Sequence, residues 1–368
     1  MHGKAFVWYV WSCARVGAAA LLERRSLLSM AAVLGDEKVA AARIRAGADV
    51  NEAKNGRATP LFEAAARNHE AVVMLLLQAG AEIDRAADGV TPLSIAAYRG
   101  HKAIVIALLR AGAAIDNATN DGTTPLIFAV QERHEEVVVL LLRAGAATHK
   151  KREDGITAVF IAAMNGDDAM VVSLLGSAAQ VDIAMDSTGA SPMYIAAQNG
   201  HQAVVAALLR AGAQVDMAMD STGVSPMFIA AQNGHQAVVA ALLRAGAQLE
   251  WAVDDGTTPL IIAAQAGHEA VVVVLLRAGA QPNKATHLGA TPLQRAAYQG
   301  HEAIVLALLG AGAEVDQAMD SGLTPLFFAA CGGHEAVVSA LLLAGARADQ
   351  AAYDGALQHA VRIVTPKP

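Results

Sequence analysis

Apolar positions along the chain come in short bursts of helical period, and the bursts recur. In the stretch opening at Thr91, Leu93, Ala96 and Ala97 mark one face at i, i+3, i+4 spacing. Gly100-His101 breaks the run, and a second set follows on one helical face: Ile104, Val105, Leu108 and Leu109. Thr91 is a good helix N-cap, and Pro92 takes the first helical position, where its missing N–H is no loss. Gly112 stands where a left-handed residue ends the second helix. The polar segment 113–122, closing on Asp121-Gly122, predicts an extended finger or hairpin before the next cap. Neither helix is long enough to be stable alone. Each pair must therefore bury its apolar faces against a neighbouring pair.

The opening tripeptide returns as Thr59-Pro60-Leu61, Thr91-Pro92-Leu93, Thr124-Pro125-Leu126, Thr258-Pro259-Leu260, Thr291-Pro292-Leu293 and Thr324-Pro325-Leu326. Softened forms stand at Thr157-Ala158-Val159, Ser191-Pro192-Met193 and Ser225-Pro226-Met227. The nine openings lie 32, 33, 33, 34, 34, 33, 33 and 33 residues apart, a phase that chance does not produce. A chain of 368 residues would ordinarily divide into two or three globular domains, but a repeat array grows in one dimension and escapes that limit.

The full unit reads D-G-x-T-P-L-x-x-A-A-x-x-G-H-x-x-V-V-x-x-L-L-x-A-G-A, nearly complete over residues 258–280, and it resembles the ankyrin repeat. The resemblance extends over roughly residues 26 to 360. It implies an all-α solenoid of about eleven stacked helix-turn-helix units, each with a projecting β-hairpin finger. Residues 26–54 keep the two-helix pattern without the tripeptide and read as an N-terminal cap unit. Residues 55–352 hold nine full repeats, and 353–361 begin another with Asp354-Gly355 that is cut short. That last unit leaves open a fragment of a larger ankyrin-containing protein. Residues 1–25 are expected to be a poorly ordered extension or a capping helix, and 362–368 a tail.

Departures from the family pattern are informative. The family often places a histidine after Thr-Pro-Leu, whereas this chain has Phe62, Ser94, Ile127, Phe160, Tyr194, Phe228, Ile261, Gln294 and Phe327 there. The hydrogen bond from that histidine is expected to be absent, with packing in its place. The unit at Thr157 lacks the proline and replaces Gly-His with Gly166-Asp167, so the weakest local stability is expected there. The units around Asp186 and Asp220 are almost identical, the mark of a tandem duplication.

Composition narrows the function. Hydrophobic residues make up 54% of the chain but aromatics only 4%, which suits many thin helical layers better than one thick core. The formal net charge of -7 and a pI near 5.9 argue against nucleic acid, which is usually met by a basic stripe. The basic run Lys150-Lys151-Arg152 is followed directly by Glu153 and Asp154 and reads as a solvated loop. Cys13 and Cys331 stand in unlike contexts and imply no disulfide framework, which fits a cytoplasmic or nuclear protein. The uncharged stretch 187–209 is amphipathic and rich in Gln and Asn, so no membrane span is expected. Residues 1–11 faintly resemble a signal peptide, but the run is short, Arg15 interrupts it and no clean cleavage site follows.

No constellation of catalytic residues is expected. Eight of the 12 histidines share one place in the repeat: His69, His101, His134, His201, His235, His268, His301 and His334. Packed helices stand about 8–10 Å apart, whereas a metal–nitrogen bond is about 2.0–2.1 Å, so neighbouring histidines of the ladder cannot share an ion. Asp320-Ser321-Gly322 matches the aspartic-protease tripeptide, and Asp186 and Asp220 open near-matches. That chemistry needs two aspartates face to face, and these fall in separate parallel fingers. Ser191-Pro192 and Ser225-Pro226 look like proline-directed phosphorylation sites but coincide with helix caps. Neither a cofactor nor a metal is implied.

The remaining reading is a non-catalytic scaffold or adaptor, with an inhibitory or targeting subunit of an enzyme complex as the alternative. If the ankyrin resemblance holds, a partner protein meets the pair of residues after Ala-Ala, in the concave groove, and the finger tips. The groove candidates are Arg67, Tyr98, Arg99, Gln131, Glu132, Met164, Gln198, Gln232, Gln265, Tyr298 and Gln299. The tip candidates are Met217, Met219 and Trp251, with packing against the neighbouring finger as the competing role. The chain is expected to act as a monomer.

Overall fold

The computed structural model describes residues 26–53, 58–176, 180–220 and 222–348. The N-terminal extension with Cys13, the truncated unit at 353–361 and the tail lie outside the described residues. Among the described residues are twenty α-helices and two isolated β-bridges.

The helices come in pairs, as the two-burst pattern predicts. The first four pairs are α1 (Leu27–Leu34) with α2 (Glu37–Arg45), α3 (Pro60–Ala66) with α4 (Glu70–Gln78), α5 (Pro92–Arg99) with α6 (Lys102–Arg110), and α7 (Pro125–Gln131) with α8 (Glu135–Arg143). Then come α9 (Ala158–Asn165) and α10 (Asp168–Leu175). The last five pairs are α11 (Pro192–Gln198) with α12 (Gln202–Arg210), α13 (Pro226–Gln232) with α14 (Gln236–Arg244), α15 (Pro259–Ala266) with α16 (Glu269–Arg277), α17 (Pro292–Gln299) with α18 (Glu302–Gly310), and α19 (Pro325–Cys331) with α20 (Glu335–Leu343).

The chain divides into two compact units, Met1–Ala162 with Val172–Gln180, and Ala163–Val171 with Val181–Pro368. The division runs through α9 and α10. In the first unit, α1, α3, α5 and α7 pack in sequence, and α2, α4, α6 and α8 form a second row behind them. In the second unit, α11, α13, α15, α17 and α19 form one row and α12, α14, α16, α18 and α20 the other.

Local chemistry explains each start and stop. The hydroxyls of Thr59, Thr91, Thr124, Thr157, Ser191, Ser225, Thr258, Thr291 and Thr324 each accept from the backbone N–H three residues on, at 3.1–3.3 Å. Ser191 and Ser225 are completely buried in this role, so their hydroxyls are not phosphorylation sites in the folded chain. Gly112 (φ 94) follows α6 in the left-handed region, and Ala113 N–H closes back on Leu108 O at 3.0 Å. The Ala-Ala pairs and the Leu of the tripeptide have almost no solvent contact, as with Leu93, Ala96 and Ala97. On α6, Ile104, Val105 and Leu108 are equally enclosed, and each contributes about 2 kcal/mol of burial that the isolated nine-residue helix could not obtain.

The fingers are hairpin turns closed by backbone bonds, among them Thr119 N–H to Thr123 O (3.0 Å), Met185 N–H to Ala190 O (2.9 Å) and Met319 N–H to Leu323 O (3.0 Å). Among the described residues, pairing goes no further than single bridges, at Ala87 with Val90 and Lys151 with Thr157. One expectation about the core needs correction. At Gln294 the hydrogen bond expected to be missing is present. Its Nε2–H donates to Gln317 O (2.7 Å) and Leu323 O (3.3 Å) of the following finger, while its Oε1 accepts from Thr291 N–H (2.8 Å). Ser94 likewise bonds the Thr91 hydroxyl at 2.9 Å. Phe62, Ile127 and Ile261 are buried apolar side chains, the replacement by packing that was expected.

Candidate protein-binding surface

Two ladders of polar side chains are committed to stacking. In the first unit, the Nε2–H groups of His69, His101 and His134 donate to Val33 O, Ala66 O and Tyr98 O at 3.0–3.3 Å. In the second, His201, His235, His268, His301 and His334 donate to Met164 O, Gln198 O, Gln232 O, Gln265 O and Tyr298 O at 2.9–3.3 Å. Each histidine caps a second helix by position but leaves the cap unmade, its ring turned back onto the preceding pair. A glycine makes room for it: a Cβ on Gly100 would stand 2.6 Å from the His134 ring. The ladder is structural, as its spacing predicts. Burial is the main reason that His101 has a lowered pKa; Arg99, His134 and His69 add to the lowering, and the carbonyl bond opposes it.

The second ladder lies in the fingers. Asn51, Asp84 and Asp116 accept from the backbone N–H of Glu82, Ala114 and Ala147 in the first unit. Asp182, Asp216, Glu250, Asn283 and Asp316 do the same for residues 214, 248, 281, 314 and 347 in the second. Asp186, Asp220 and Asp320, from the protease-like tripeptides, are exposed in separate fingers.

Helix packing and the two ladders leave the ends of the first helices. Arg67 is half-buried and ion-paired with Glu63 one turn earlier on α3. Tyr98 sets its ring edge-on to Phe128 at 5.7 Å, and the exposed Arg99 guanidinium lies over the Tyr98 ring at 5.8 Å. Partial burial raises the Tyr98 pKa, with Glu132 adding to the effect and Arg99 opposing it. Gln131 is exposed and donates to Glu132 at 3.3 Å.

In the second unit Met164 is exposed, Gln198 and Gln265 are half-buried, and Gln232 and Gln299 are exposed. These four glutamine side chains make no hydrogen bond with the described residues. Asn199 and Asn233 differ, since their amides donate to Met164 O (3.2 Å) and Gln198 O (2.8 Å), beside the histidines that share those carbonyls. Tyr298 is 56% exposed and holds its ring edge-on to Phe328 at 5.9 Å.

The finger tips are less open than their composition implies. Met217 and Met219 are half-buried. Trp251 is half-buried too, and its Nε1–H donates to Gly223 O at 2.8 Å, which fixes the indole on the preceding finger. Cys331 is an exposed free thiol at the C-terminal end of α19. Among the described residues, no group of three or more His, Cys, Asp or Glu side chains could hold a metal ion, and no helix is long and apolar enough to cross a membrane.

Comparison with known families settles what these repeats are. The family described as ankyrin repeats (3 copies) matches residues 83–152, 136–219, 212–286 and 279–354, and the single ankyrin repeat matches 57–87. The chain belongs to the ankyrin repeat family. No curated protein matches it.

Ankyrin repeats are in general protein–protein interaction modules, typically non-catalytic. One residue of this ankyrin array escaped the sequence reading. Arg295 lies on α17 four residues after its cap, where most of the repeats carry isoleucine or phenylalanine. A positive charge in a column that seven of the nine full repeats fill with isoleucine or phenylalanine was the available signal.

Proposed function

We propose that the protein is a non-catalytic scaffold or adaptor that holds a partner protein along the first-helix groove and finger tips of its ankyrin repeats. One observation carries the reading. The framework side chains of each repeat are consumed by caps, core and ladders, while Arg99, Met164, Gln232 and Tyr298-Gln299 are exposed. Tyrosine and arginine are the residue types that most often anchor interfaces. The chain is taken to act as a monomer in the cytoplasm or nucleus.

The test combines Tyr98→Ala, Arg99→Ala and Tyr298→Ala. Truncating a binding anchor commonly costs about 2 kcal/mol or more, so the triple variant should fail to retain partners that the unaltered chain captures. Capture followed by protein identification, with helicity checked by circular dichroism, reads the outcome. An unchanged set of partners on a folded triple variant would remove the groove assignment.

A further inference from the structure

One column of the repeat contains a charge that forms no hydrogen bond or ion pair with the described residues. Four residues after the cap, seven of the nine full repeats place isoleucine or phenylalanine, including Ile262 and Phe328 on either side of Arg295. The other charged exception, Glu63, is 3% exposed and paired with Arg67. Arg295 has no such partner. Its guanidinium forms no hydrogen bond or ion pair with any described residue, although its Nε is fully enclosed. Asp255 and Arg295 feel one another's charge without pairing, and the Asp255 carboxylate is occupied by Thr257 N–H at 2.8 Å.

Arg295 is half-buried, and its enclosed Nε–H is left without an acceptor, a cost that the apolar residues of the neighbouring repeats do not incur in the same column. An acceptor of opposite charge would satisfy that donor. Tyr298 stands one turn further along α17 on the same face, 56% exposed, and Leu288 on the finger just before α17 is 67% exposed. Arg295 and Tyr298 together offer a cation beside an exposed aromatic side chain. We infer that Arg295, flanked by Tyr298, receives the carboxylate of an aspartate or glutamate side chain presented by a partner protein. The inference rests on the groove reading and supplies the chemistry of the partner. A planar guanidinium fork matches a carboxylate with two parallel hydrogen bonds, which a lysine at this place could not provide.

Random peptides displayed against the full chain test this, with Arg295→Ile and Tyr298→Ala selected in parallel. Peptides chosen by the unaltered chain should share an acidic residue at a fixed position, and that preference should vanish with Arg295→Ile. A chosen peptide should bind the Arg295→Ile variant roughly thirtyfold more weakly or worse, the scale on which loss of one member of a desolvated charge pair is felt. Freed of an unmet donor, the same variant should melt no lower than the unaltered chain. Melting several degrees lower would make Arg295 a structural residue and overturn the inference. Peptides that need Tyr298 but share no acid would overturn it while leaving the groove intact. Peptides indifferent to both residues, or no binders at all, would remove the groove reading as well.

Discussion

At the scale of single residues, the histidine ladder shows how one side chain can link two repeats. Its place in a loop between helices was legible from the phase of the sequence. The acceptor was not, because the carbonyl that His101 reaches lies 35 residues earlier, in a different repeat. Since the carbonyl only accepts, His101 needs a proton on Nε2, and the neutral ring suffices. Burial lowers its pKa below the value of about 6.5 expected in the unfolded chain. The sign follows from linkage. Below that pH the unfolded state takes up a proton before the folded state does, so the contribution of His101 is complete above about pH 6.5 and declines as the pH falls toward the folded pKa. Urea unfolding at pH 7.5 and 5.5 should show lower stability at the acid pH, with a smaller difference in a His101→Gln variant. Equal acid losses in both proteins would show that His101 does not carry the effect.

At the scale of the element, the helices were the most legible feature. Cap, proline, paired alanines and left-handed glycine each specify a local conformation, and they agree with one another. What escaped was the role of residues that act across elements. Gln294 looked like a position without a hydrogen bond, yet it is 1% exposed and joins the start of α17 to the next finger through Gln317 O and Leu323 O. It also completes a reciprocal cap with Thr291. Arg295 was missed for the related reason that its significance lies in what fails to surround it. Replacing Gln294 with alanine removes the donor to two part-buried carbonyls and one side of the cap. Chemical denaturation should show a loss of about 2–3 kcal/mol, against about 1 kcal/mol for Thr324→Ala, which removes a single cap hydrogen bond. Equal losses would mean that the contacts of Gln294 with the following finger contribute nothing beyond the cap.

At the scale of the whole molecule, the sequence singled out the unit opening at Thr157, and the division into two compact units falls within that unit. Its departures from the other repeats are visible in its residues. Thr157 still caps Phe160 N–H at 3.2 Å, but Ala158 replaces the proline that elsewhere restrains the first helical position. Asp167 replaces the ladder histidine, and its carboxylate turns inward to cap Met170 N–H at 2.9 Å. A side chain that elsewhere reaches the preceding repeat is here spent on its own helix. Such a unit should open at lower free energy than its neighbours. Hydrogen exchange should therefore show the amides of α9 and α10 exchanging faster than those of α5 and α6 or of α13 and α14. Ala158→Pro restores the restraint at a position whose N–H lies outside the intrahelical ladder, so it should stabilise the unit by about 0.4–1 kcal/mol and slow its exchange. Uniform exchange along the array would refute the assignment of weakness to this unit. Faster exchange in the proline variant would instead show that its cap geometry differs from that of the other repeats.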